Sequence, residues 1–214
     1  IPMPSGRRRT VGRGTRSASG SGAAGGQRLL SGPLLLLGIA IATYVASEVG
    51  VSNWLVRFLD PAPLTTATLA LSLYGAGLTV GRLVSAAIAD RFDHLRFTIA
   101  CGLALVVAIV IAVLVPDLPL SMAAFAAAGV ASGPIFPMIV AIGGERYPER
   151  SAAVGGSLTG MAVLGSTIYP PLMGLLSVTV GLTIAMLGTA LMATASVLAL
   201  VVFGRLTRRD PTIS

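Results

Sequence analysis

The sequence predicts an all-α membrane protein of six transmembrane helices, and three observations carry that prediction. Hydrophobic residues fill 54% of the 214 positions and charged residues only 11%, whereas a soluble domain covers its surface with about 25% charged residues. Mean hydropathy is +0.87. The apolar residues gather in six long runs, each near the ~20 residues that a helix needs to cross hydrocarbon. These features exclude a cytosolic enzyme domain and a disordered chain. The runs are continuously apolar and rich in Ala and Leu, without period-two alternation, which excludes the strands of a membrane barrel.

Residues 1–28 stand apart from the rest. Their Gly/Ser/Arg-rich composition offers too little apolar surface to offset ordering entropy, and predicts a disordered basic segment. They lack the charged start, apolar stretch and cleavage site of a signal peptide. The chain opens on Ile1 in place of Met, as a fragment or a processed product would. The first span covers residues 29–55 and stops before Arg57 and Asp60. The second covers 65–89, and the third 97–115, where Pro116 and Asp117 end it. The fourth covers 118–142, the fifth 152–178 and the sixth 181–203. The predicted bundle thus occupies 29–206, followed by a tail at 207–214.

All fifteen basic residues are arginines. Six crossings put Arg7, Arg8, Arg9, Arg13, Arg16, Arg28, Arg91, Arg96, Arg146, Arg150, Arg205, Arg208 and Arg209 on one side and Arg57 alone on the other. Basic residues accumulate in cytoplasmic loops, so both termini are expected in the cytoplasm, with the bundle in the cell (plasma or inner) membrane. The sequence pI near 11.0 therefore reports orientation, and the basic leader is expected to meet anionic lipid, not nucleic acid.

Arg82 lies inside the second span. It is placed to pair with Asp90 about two turns on, or with a carbonyl at a neighbouring helix end; the alternative is snorkelling to the headgroups. Glu48 is the other intramembrane charge, and such residues mark a cavity, a partner or a proton path. Tyr44, Glu48 and Ser52 recur every four residues and share one helical face. With Asn53 and Trp54 they offer a carboxylate, hydroxyls, an amide and a ring, a set that suits a polyol. The alternative leaves Glu48 hydrated near the interface and Trp54 as a belt anchor. Gly77 and Gly81, Gly129 and Gly133, and Gly156 and Gly160 have the spacing that lets helix backbones approach closely. Pro134, Pro137, Pro170 and Pro171 should bend the fourth and fifth spans, with Phe136, Thr167 and Tyr169 beside them as further cavity residues. Cys101 is a lone cysteine and His94 a lone histidine, so no metal site or other cofactor is expected. No Ser/His/Asp set or paired carboxylates point to an enzyme.

The segment YGAGLTVGRLVSAAIADRFDHLR resembles the eighth helix and following loop of a major facilitator superfamily transporter. Asp90 and Arg91 match the loop signature of that family, Ala86 replaces its first Gly, Asp93 and His94 replace a Gly and a basic residue, and Arg96 keeps a positive charge. GVASGPIFPMIVAIGGERYPERSAAVGGSLTGMAVLGSTIYPPLMGLL resembles helices ten and eleven. IATYVASEVGVSNWLVRFL resembles the seventh helix of fucose/glucose-type sugar:proton symporters. The resemblance implies one half of a twelve-helix fold, the C-terminal one, with residues 1–28 as part of the central loop and three helices mirroring the other three. It also implies a cytoplasmic gate at Arg82, Asp90 and Arg91. The expected activity is alternating-access transport of a small polar solute, a sugar with protons in that branch. The expected partners are the lipid bilayer and a missing N-terminal half or a second copy. The other reading is a non-transporting membrane subunit or interaction protein built on a half-bundle.

Overall fold

The computed structural model describes residues 32–60, 62–88 and 91–209. The basic leader, Asp90 and residues 210–214 lie outside the described residues. Among the described residues every regular element is helical: α1 (Gly32–Phe58), α2 (Leu64–Ile88), α3 (His94–Leu114), α4 (Leu118–Ser132), α5 (Ile135–Arg146), α6 (Ser151–Thr179) and α7 (Leu182–Arg209). The stretch Leu118–Arg146 makes one crossing from α4 and α5, so six helical stretches are long and apolar enough to span a membrane.

Local chemistry explains the boundaries. Asp93 and Asp117 cap α3 and α4, their carboxylates accepting from the N–H of Arg96 at 2.8 Å and of Leu120 at 3.0 Å. Each cap fills a donor that the first helical turn leaves without a backbone partner. Gly181 links α6 to α7 at φ 93°, a left-handed conformation that costs glycine little. Pro134 has no N–H for the Val130 carbonyl, and the fourth crossing breaks at Gly133–Pro134. The fifth crossing behaves differently, since α6 runs through Pro170 and Pro171 as one helix.

Helix α1 is the centre of the bundle. It packs on α7, α6, α2 and α5, while α4 packs on α2 and α3, and α3 also meets α7. Exchanging α1 with α4–α5, α2 with α6 and α3 with α7 returns the same neighbours with one exception, α6 on α7, whose counterparts α2 and α3 barely touch. That is the packing of a 3+3 inverted repeat. The core holds Leu37, Ile41, Tyr44, Tyr74, Phe125, Leu158 and Met173, whereas Leu83, Val107, Leu164, Leu175 and Leu191 lie outward, as in a protein solvated by hydrocarbon.

Glycines set the closest approaches. A β-carbon at Gly77 would stand 2.5 Å from the Ala126 carbonyl oxygen, and one at Gly133 would stand 2.5 Å from that of Leu78. Gly81 and Gly129 lie equally tightly against the backbones of Val130 and Tyr74. The two predicted glycine pairs therefore interlock with each other across α2 and α4. The third pair does not follow: Gly156 and Gly160 have nothing within 4 Å, and Gly165 is the residue of α6 that rests on the α1 backbone, at Ala42. Lipid provides no hydrophobic drive between helices, so such contacts and the Ser196 hydroxyl donating to Ala40 O at 2.8 Å hold the bundle together.

The alternating path of the chain collects Arg91, Arg96, Arg146, Arg150, Arg205, Arg208 and Arg209 at one end and leaves Arg57 at the other, where it pairs with Asp60 at 3.5 Å. Burial is uneven. Only 22% of the apolar stretch of α2 and 17% of that of α6 is buried, against 56% for α1, so α2 and α6 present the open faces of the bundle.

Candidate functional site

Glu48 lies ten residues before the end of α1, and Arg82 six residues before the end of α2. They are the charged residues of the described helices that stand away from a helix end. The α1–α2 packing joins them, with Arg82 Nη2 3.6 Å from Glu48 Oε1. The side chain of Arg82 is 49% exposed and that of Glu48 17%, so the cation is the more open partner.

Tyr44 sits one turn before Glu48 on the same face of α1 and is fully buried. Its hydroxyl donates to Glu48 Oε2, and the same hydroxyl lies 2.8 Å from the Ser132 carbonyl oxygen. That carbonyl ends α4 just before the Gly133–Pro134 break, where helical hydrogen bonding is interrupted. The Ser132 hydroxyl is committed to its own helix, at 2.8 Å to Ala128 O and 3.0 Å to Gly129 O. One phenol therefore connects a carboxylate on α1 to the joint between two half-helices.

A cavity of about 510 Å³ opens beside this cluster, lined by Val45, Glu48, Arg82, Ser85, Ala86, Phe136, Pro137 and Met138. The break is what supplies its third wall. Turning the chain at Gly133–Pro134 brings the first residues of α5 opposite the Glu48–Arg82 pair. Chemically the site offers one exchangeable ion pair, a phenol relay and an apolar wall.

Of the residues singled out in the sequence, Tyr44, Glu48, Arg82 and Phe136 come together here. Ser52 stays on their face of α1, its hydroxyl donating to Glu48 O at 2.9 Å. Others go elsewhere. Asn53 is exposed near the far end of α1, and Trp54 faces Gly174 of α6. Tyr169 is wedged between Gly50 and Gly188, and its buried hydroxyl closes no hydrogen bond. Thr167 is exposed and donates to Val163 O at 2.8 Å. Arg91 is exposed beyond α2. Arg82 meets the Glu48 carboxylate of the adjacent helix, a partner that sequence spacing did not name; the expected pairing with Asp90 lies outside the described residues.

Sequence reading missed Ser132, Ser85 and Tyr74. The Gly-Pro step after Ser132 is the signal that α4 would end there and leave its last carbonyls without helical partners. Tyr74 of α2 is fully buried near Glu48, and its hydroxyl faces Ser52 and Ser132 without closing a hydrogen bond to either. His94 also has a partner that sequence spacing hid: its Nδ1 lies 2.8 Å from Glu145 Oε1, joining α3 to α5 at the arginine-rich end. Among the described residues no three His, Cys, Asp or Glu side chains are grouped to hold a metal ion.

A family model described as Major Facilitator Superfamily matches residues 27–214. No curated protein matches the sequence. Among solved structures, the chain is similar to the transporter FucP in the outward conformation, with a TM-score of 0.77 and 19% identity over 88% of this chain and 47% of that one. A second structure of the E. coli fucose:proton symporter FucP gives a TM-score of 0.78 at 19% identity, with the same shares covered. The POT family transporter PepTSo gives 0.71 at 18% identity over 83% of this chain and 37% of that one. The chain thus spans less than half the length of the solved structures it matches.

Proposed function

Because the chain belongs to the Major Facilitator Superfamily, we propose that it is the C-terminal half of a secondary transporter that moves a small polar solute by alternating access. The reading places the bundle in the cell membrane with the arginine-rich end and both termini in the cytoplasm. The open faces of α2 and α6 would meet an N-terminal six-helix half or a second copy, closing the cavity into a cleft near the midplane. The observation that carries the proposal is the Glu48–Arg82 pair beside a cavity of about 510 Å³. A charged pair inside a membrane span is costly to keep, and its use is a solute or ion path.

Glu48 is the proton carrier in this reading, and a sugar is the first cargo to try, because the neighbour FucP is described as a fucose:proton symporter. Arg82 and Arg91, with Asp90 between them in sequence, would form the cytoplasmic gate. The test is uptake of labelled fucose and related solutes by the full gene product in proteoliposomes, with a proton gradient imposed. Glu48→Gln should abolish proton-driven accumulation while leaving solute exchange. Unchanged proton-driven uptake in Glu48→Gln removes this residue from the mechanism. The same uncovered faces also suit a non-transporting membrane subunit, for which no solute would move under any gradient.

A further inference from the structure

Resting on the proton-coupled reading above and narrowing its cargo, we propose that the solute is an organic monoanion whose carboxylate docks on Arg82 when Glu48 carries a proton.

Tyr44 has one proton and two acceptors within reach, Glu48 Oε2 and the Ser132 carbonyl. With Glu48 ionised, the phenol serves one of them and the other goes without it. With Glu48 protonated, the carboxyl O–H donates to the Tyr44 oxygen and the Tyr44 O–H donates to Ser132 O. Both bonds then close in one chain. Buried polar groups favour the arrangement that satisfies all members.

That second state strands Arg82. A guanidinium cannot lose its proton, and it presents a planar fork of donors that matches a carboxylate. Arg82 is 49% exposed toward a cavity whose remaining lining is Val45, Ser85, Ala86, Phe136, Pro137 and Met138, none of them charged. The other titratable groups around Glu48 are phenols, Tyr44 on its own helix and Tyr74 on α2, while the phenol that α6 brings, Tyr169, rests against Gly50. Helices α4 and α5 bring no titratable group before Glu145, and α7 none before Arg205. A neutral sugar leaves the cation uncompensated. An anion restores neutrality, one proton entering on Glu48 for each negative charge that enters on Arg82.

The experiment measures binding to the full gene product in detergent at pH 5.5 and pH 8. The probes are matched pairs: gluconate with sorbitol, glucuronate with glucose, and benzoate with benzyl alcohol. A carboxylate should bind at least about tenfold more tightly than its neutral mate at the lower pH. Where Glu48 is ionised, its affinity should fall by about tenfold per pH unit, the linkage of one proton taken up per anion. Glu48→Gln, which mimics the protonated form, should bind the carboxylate equally at both pH values. Arg82→Gln should lose the preference, and Arg82→Lys should keep part of it. Equal binding of neutral and acidic members, failure of every carboxylate, or a preference that survives Arg82→Gln overturns the proposal. Neutral solutes that bind with proton uptake would overturn it and leave the proton-coupled reading standing. Wild-type uptake that ignores the imposed proton gradient, or proton-driven uptake unchanged in Glu48→Gln, would instead remove that reading.

Discussion

Gly77→Ala tests the packing of α2 on α4 directly. The new β-carbon would lie 2.5 Å from the Ala126 carbonyl oxygen and 3.0 Å from the Val130 nitrogen. Non-bonded heavy atoms rest near ~3.5 Å, so the helices must part by roughly 1 Å. Overpacking costs about 1–3 kcal/mol, and the upper end applies because both obstacles are backbone, with no rotamer to turn away. Alanine recovers about 0.5–1 kcal/mol relative to glycine within a helix, for a net loss of about 2 kcal/mol. Gly156→Ala is the internal control, since nothing lies within 4 Å of its β-position. It should be stabilising by about 0.5–1 kcal/mol. The two variants should therefore differ by about 3 kcal/mol, roughly two decades in the unfolding constant. Reversible unfolding in mixed detergent micelles, followed through Trp54 fluorescence, measures the difference. Equal stabilities would refute the claim that bare backbone contact, not composition, fixes this seam.

Tyr44→Phe should destabilise by about 1–3 kcal/mol in the same assay, because Glu48 and the Ser132 carbonyl lose the one phenol proton within reach of both. Arg82→Gln alone should lower the yield of folded protein in detergent more than Glu48→Gln with Arg82→Gln does, since one unpaired charge is worse than none. Asp117→Ala should cost about 1 kcal/mol through loss of the α4 cap, read as a lower unfolding midpoint. His94→Gln should cost less than about 1 kcal/mol, because Glu145 is mostly exposed and water weakens the pair.

The spans and their number were legible because hydrocarbon imposes one rule on every turn, and a run such as residues 97–115 satisfies it locally. The interlock of Gly77 and Gly81 with Gly129 and Gly133 was half legible: spacing named the residues but not which pair would meet which. Gly156 and Gly160 share that spacing yet face no neighbour, because a pattern on one helix carries no information about the helix opposite. The Tyr44–Glu48 contact was readable from a four-residue repeat. Its continuation to Ser132 was not, since 88 residues separate the two along the chain. The pairing of Arg82 with Glu48 was not legible, because only local distances can be read from sequence and the packing of α1 on α2 joins residues far apart along the chain. Trp54 and Tyr169 looked like cavity residues by type, but α1 turns the indole toward α6, and the glycines at 50 and 188 leave a slot that the phenol fills.

The seam between α2 and α4 contains main chain on both sides, so it has no flexible tips to rearrange as temperature or load changes. The two helices should behave as a single beam, with the interrupted joint at Gly133–Pro134 beside it. A tip pulling the protein from a supported bilayer should extract α2 and α4 in one force peak, with α5 yielding separately. Any swing of the bundle would then be measured from that beam, as a door is measured from its frame.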